Sequence, residues 1–133
     1  MNYLPKSVAE SFVRAINRHD VEALAALMAP EHRFIDSLGN AVVGREKMRS
    51  GWTGYFRMVP DYSIAIEESF TEGQVVVLLG LAEGTYAPDG KLKPGARWMA
   101  AVALRAQVED GLISEWRVYA DNEPLRERMR KST

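Results

Sequence analysis

The stretch FIDSLGNAVVGRE, residues 34–46, ends an apolar run with a carboxylate. Asp36 follows Phe34 and Ile35, which suit a strand interior, and precedes Ser37-Leu38-Gly39-Asn40, which suits a turn. An aspartate in this place has two readings. It accepts hydrogen bonds from the turn amides, as Asx turns do, or it faces a pocket and takes protons as a general base. Arg105 is the next candidate, because it interrupts the otherwise apolar or small run AVALRAQV. A guanidinium there could pair with Asp36 or hold an anionic ligand bidentately.

Other chemistry-bearing residue types are scarce. There are no cysteines, which excludes disulfides, thiolate nucleophiles and Cys-ligated metals. The two histidines, His19 and His32, form no H-x-x-x-H pair. His32 lies about 13 Å from Asp36 along an extended strand, at ~3.3 Å per residue, too far for direct pairing. We read it as a surface histidine at a strand start. GREKMRSG lacks the glycine and lysine order of a phosphate-binding loop. No metal and no organic cofactor is expected.

Bulk composition narrows the class. The 133 residues suit one domain, 1–133, and with 47% hydrophobic and 26% charged residues a packed core is feasible. A net charge of -1 lacks the basic footprint of a nucleic-acid binder. The longest apolar run, Val75 to Ala82, is far too short to span a bilayer, so no membrane partner is expected. Residues 1–15 carry Lys6, Glu10 and Arg14 in a helical pattern, which is no secretory signal. A cytoplasmic location is the expectation.

Periodicity gives the elements that must position Asp36. Pro5 suits a first helical turn, and Val8, Phe12 and Ile16 repeat at helical spacing. Asp20 suits the N-cap of a second helix, VEALAALM, which Pro30 should end. A short strand is expected over about 32–36. A third helix is expected from about Arg45 to Val59, with Met48, Trp52, Tyr55, Phe56 and Val59 on its apolar face and Pro60 as its stop. The second half changes to strand-type runs: YSIAIEESF, QVVVLLGLAEGTYA, ARWMAAVALRAQV and LISEWRVYAD. The links TEG, PDGKLKPG and EDG carry hairpin turn signals, so an antiparallel meander is expected. The tail LRERMRK carries four cations and one anion and reads as a solvated, fraying helical end. Helices first and strands later argue for α+β, with helices packed on one face of a curved sheet.

This order resembles the nuclear transport factor 2-like superfold, a cone of curved, mostly antiparallel sheet closed by three helices around a pocket. FVRAINRHDVEALAALMAPEHRFID resembles the opening of its SnoaL-like and ketosteroid-isomerase-like branches. GREKMRSGW resembles their third-helix start, and ISEWRVYADNEPL the last strand of many SnoaL-like proteins. The resemblance puts Asp36 on the isomerase's general base. It puts Phe12 where the isomerase has an enolate-stabilising tyrosine, and Ala103, give or take one residue, where it has a protonated aspartic acid. Neither can donate a side-chain hydrogen bond. Trp52 replaces a supporting tyrosine of some isomerases. The resemblance to limonene epoxide hydrolase fails at Val118, which stands where that enzyme has an aspartate, and the strand 74–87 has Glu83 but no Arg-x-Asp.

Counting back from the EDG turn to a pocket-facing Ala103, period-two alternation puts Met99, Ala101, Arg105 and Gln107 in the pocket too. The alternate set, Trp98, Val102, Leu104 and Val108, then covers the outer face as a dimer surface. A bulge would reverse this parity. On the last strand the resemblance puts Trp116, Val118 and Ala120 toward the pocket. The expected pocket is therefore largely apolar, formed by Phe12, Trp52, Phe56, Met99 and Trp116, with Asp36 and Arg105 as polar handles. Its partners would be a small hydrophobic ligand and a second copy of the chain. Two functions fit: an isomerase, cyclase or hydratase using Asp36 as base, or a non-catalytic ligand-binding or dimerising scaffold.

Overall fold

Local signals set most of the element boundaries. The structure is a computed structural model and describes residues 4–131. Helix α1, Pro5–Asn17, starts on a proline whose fixed φ suits the first turn, and it buries Val8, Phe12 and Ile16 along one face. His19 then turns the chain in the left-handed region, at φ 55°. Asp20 caps α2, Val21–Leu27, by accepting from the Ala23 amide at 3.0 Å.

Pro30 does not end that helix. Strand β1, Met28–Ile35, starts at Met28 and contains Pro30. It pairs in parallel with the last strand, and its register jumps between Met28 and Arg33. A proline lacks the N–H that a ladder needs, so it is tolerated in such an irregular stretch. The short strand β2, Ala41–Val43, which the sequence reading did not anticipate, returns against β1. Helix α3, Arg45–Met58, follows, and Met48, Trp52 and Phe56 are its buried residues.

The long strands are β3 (Ser63–Glu72), β4 (Val75–Thr85), β5 (Arg97–Glu109) and β6 (Leu112–Ala120). They form a six-stranded sheet in the order β2-β1-β6-β5-β4-β3, antiparallel throughout except for β1 beside β6. Register shifts at Ile66/Glu68 and Gln107/Val108 curve it. Gly80 permits one close approach, because a Cβ there would meet the Ala65 carbonyl oxygen at 2.0 Å. This is an α+β fold, a curved mixed sheet with helices on its concave side, as expected.

Helix α1 packs into the concave face, and Phe12, Ile16, Leu78, Leu104, Ile113 and Trp116 are almost fully enclosed there. Each such side chain contributes roughly 1.5–3 kcal/mol of apolar burial. The tail is a further helix, α4, Glu123–Lys131. It packs on β5, buries Leu125, and Arg128 Nε donates to the Arg97 carbonyl at 2.8 Å. Among the described residues no helix is long and apolar enough to cross a membrane.

Candidate functional site

The concave face leaves a cavity of about 320 Å³ between the sheet and α3. Strand β5 supplies Trp98, Ala100, Val102 and Leu104, and β6 supplies Trp116, Val118 and Ala120. Helix α3 adds Met48, Trp52 and Tyr55. Asp36 and Ser37 stand on its edge, at the exit of β1.

Asp36 forms the turn and also lines the cavity edge. Its Oδ1 accepts from the amides of Leu38 and Asn40, each at 2.9 Å, and its backbone closes the same turn with Asn40 and Gly39. The carboxylate is therefore held in one orientation at the cavity edge, with Oδ2 taking no part in these bonds. Ser37 ties the turn to the chain beyond β6, its Oγ accepting from Asn122 Nδ2 at 2.7 Å.

The expected parity of β5 is reversed. The even-numbered residues are buried, while Met99 is 51% exposed on the opposite face and Arg105 shares that face. Strand β5 itself alternates without a break from Trp98 to Val108, and the extra residue of the nearby irregularity, Ser114, lies in β6, since Gln107 pairs with Glu115 but Val108 with Ile113. The expected parity rests on a placement of Ala103 that is good only to one residue, and an offset of one residue exchanges the two faces of a strand. Arg105 meets neither Asp36 nor the cavity. Its guanidinium pairs with Glu115 at 3.0 Å, beside Arg33, on the convex face. The set expected to cover the outside, Trp98, Val102 and Leu104, lines the cavity instead.

Trp52 and Trp116 line the cavity. Phe12 and Phe56 stand one layer behind it. Phe12 is fully enclosed, its ring 4.5 Å from Trp116 and 6.2 Å from Trp52. Phe56 backs Trp52 at 5.5 Å and stacks on His19 at 4.2 Å. His32 is no surface residue. It is fully buried, and since a carbonyl only accepts, its Nδ1–H donates to the Ile113 oxygen at 2.8 Å. Burial lowers its pKa, against smaller opposing effects of that bond and of Glu115.

The sequence reading missed Tyr62 as a wall residue and treated Tyr55 only as part of a helix face. Tyr55 had a usable signal, its helical spacing from Trp52. Tyr62, two residues after the helix-stopping Pro60, had none. Both phenols have pKa values well above the ordinary range because burial disfavours the anion; for Tyr55 the neighbouring Tyr62 adds to this. Among the described residues no group of three or more His, Asp or Glu side chains could hold a metal ion.

A model of the SnoaL-like domain matches residues 9–116, most of the chain. The chain belongs to the SnoaL-like family. Its solved relatives agree in fold. A candidate SnoaL-like polyketide cyclase from Shewanella denitrificans OS-217 is 14% identical, with 98% of this chain and 99% of that one covered and a TM-score of 0.82. IdmH, a candidate polyketide cyclase from Streptomyces antibioticus, is 21% identical over 96% of this chain and 99% of its own, at a TM-score of 0.79. A protein with a ketosteroid isomerase-like fold from Catenulispora acidiphila DSM 44928, in complex with trimethylamine, is 16% identical over 91% and 90%, at 0.78. No curated protein matches the chain in sequence. At these identities the solved structures establish the nuclear transport factor 2-like fold of this SnoaL-like chain, and a fold hosts many chemistries.

Proposed function

We propose that this SnoaL-like chain is an enzyme acting on a small hydrophobic molecule, in an isomerisation, cyclisation or hydration, with Asp36 as proton acceptor. One observation carries the reading: an apolar, aromatic-walled cavity of about 320 Å³ has a carboxylate fixed at its edge by two turn amides. A base held in one orientation loses little freedom when a substrate C–H is presented to it. The candidate cyclases among its structural relatives support the reading at the level of fold.

The test is α-proton exchange of 2-tetralone in D2O, followed by mass spectrometry. Asp36→Asn keeps an Oδ1 acceptor for the turn and removes the basic oxygen. Exchange should fall by roughly 10²–10⁴-fold, the usual contribution of a positioned base. Exchange at the full rate in this variant removes Asp36 as the base.

A second reading is a binding domain without chemistry. It is favoured by the residues at the positions of the isomerase's acids. Phe12 is enclosed, and the β5 residues facing the cavity near position 103 are Val102 and Leu104, none of which donates a hydrogen bond. Stoichiometric ligand binding with no exchange and no product would support it.

The dimer belongs to the same proposal, on a corrected surface. The convex face presents Leu79, Ala103 and Tyr119 in register across β4, β5 and β6. Arg33 and Arg117 lie by Glu115 at the β1–β6 end of this strip, with Arg105 one row along β5, and Glu68 and Glu72 of β3 lie at its other end. A twofold axis along the strands lays the acidic β3 side of one copy over the basic β1–β6 side of its partner.

A further inference from the structure

The cavity wall opposite Asp36 holds two phenols. Tyr55 projects from the last turn of α3, and Tyr62 stands just ahead of β3. Their rings meet edge to face, with centroids 4.9 Å apart and planes at 90°, and Trp98 flanks Tyr62 at 6.0 Å. Three strands, β6, β5 and β4, separate β1, which delivers Asp36, from β3, which follows Tyr62. The carboxylate and the phenol pair therefore lie on opposite flanks of one cavity.

Two features distinguish these hydroxyls from the other polar atoms nearby. The indole N–H groups of Trp52 and Trp98 are enclosed without a partner, sealed into the aromatic packing. The tyrosine hydroxyls are not among the sealed atoms, and neither is bonded to another described residue. They are unsealed donors on side chains that line the cavity. Burial keeps both phenols protonated through the neutral range. An apolar cavity leaves a donor with an unmet hydrogen bond, which a ligand oxygen can satisfy. Asp36 is the one charged side chain on the described lining, and no cation is present there to hold an anionic ligand.

We infer that Tyr55 and Tyr62 form the polar recognition end of the cavity, and that it takes a neutral, largely apolar ligand through a carbonyl-type oxygen. The inference rests on the cavity being the ligand site proposed above, and adds the ligand's charge and its polar handle. The apolar body of such a ligand lies along Ala100, Val102 and Leu104 of β5, with its far end toward Asp36.

Three probes of one shape test this by calorimetry: 2-acetylnaphthalene, 2-ethylnaphthalene and the 2-naphthoate anion. The intact protein should bind the ketone roughly fivefold more tightly than the hydrocarbon, the scale of a net neutral hydrogen bond, and 2-naphthoate most weakly. The bound ketone's carbonyl stretch should be shifted down in frequency. In Tyr55→Phe/Tyr62→Phe the ketone's advantage and the shift should both disappear, while 2-ethylnaphthalene binds as before. A double variant that keeps the advantage and the shift overturns the inference, as does a preference for 2-naphthoate. Equal binding of ketone and hydrocarbon by the intact protein overturns this inference alone. Failure of 2-ethylnaphthalene and the ketone alike to bind removes the ligand-site reading, and this inference with it.

Discussion

The two faces of β5 and β6 are built from alternate residues of the same strands, yet they do different work. On the concave face Trp98, Val102, Leu104 and Trp116 wall a cavity. On the convex face Met99 and Tyr119 are half exposed, and Arg105 is paired with Glu115. Period-two alternation means that a strand's chemistry is assigned by parity, and a count that is one residue out exchanges the assignments. The concave face took the more apolar set because helices cover it and burial there is complete. The convex face carries ion pairs, and its side chains there stay partly exposed.

Breaking the comparison starts with matched aromatic truncations. Trp116→Ala on the concave side, where the ring is 1% exposed, should cost about 3–5 kcal/mol in urea unfolding. Tyr119→Ala on the convex side, where the ring is 49% exposed, should change stability by about 0.5 kcal/mol or less in the monomer. Similar losses at both sites would mean that the two faces are not distinguished as described.

The next effect is on association. Leu79→Glu places a charge in the convex apolar strip, so sedimentation equilibrium should show a dimer weakened by at least about tenfold, since unpaired charge buried in an interface is costly. The monomer's urea midpoint should hold. A chain that is already monomeric at micromolar concentration, or a dimer that tolerates this change, removes the convex face as the interface.

The smallest effect concerns His32, which pairs the β1 and β6 backbones behind the cavity. Burial lowers its pKa from 6.5, so in the window below 6.5 the unfolded chain binds a proton that the folded chain resists. Its contribution to stability is complete above that pH and is lost as pH falls, with a slope of at most about 1.4 kcal/mol per pH unit for one proton. His32→Gln keeps a donor for the Ile113 carbonyl and cannot titrate. Unfolding measured between about pH 6.5 and 5 should therefore flatten in this variant, and an unchanged slope would assign the dependence to other groups.

Much of the frame was legible because its causes are local. A proline at the first turn of α1, Asp20 as a cap, Pro60 after α3 and the hairpin turns each act within a few residues, and the helices and long strands stand close to where periodicity put them. The order of elements and their wording were sufficient for the family. Asp36 at the exit of β1 was legible for the same reason: strand end, Asx turn and helix start are all written within thirteen residues.

What tertiary structure alone decided is everything that depends on one strand's relation to another. Which face of β5 turns to the helices was decided by packing across the sheet, and it left Met99 and Arg105 outside the cavity and put Trp98, Val102 and Leu104 in it. His32 was buried by β6, a strand eighty residues further on, whose carbonyl at Ile113 bonds its ring. Tyr62 became part of the cavity wall because α3 ends there with Tyr55 beside it. Asp36 likewise acquired a cavity only when β5 and β6 curved over α3. Its turn belongs to the sequence, because backbone amides two and four residues away suffice to make it. The space it faces belongs to the fold, because curvature and register are properties of paired strands and not of any one of them.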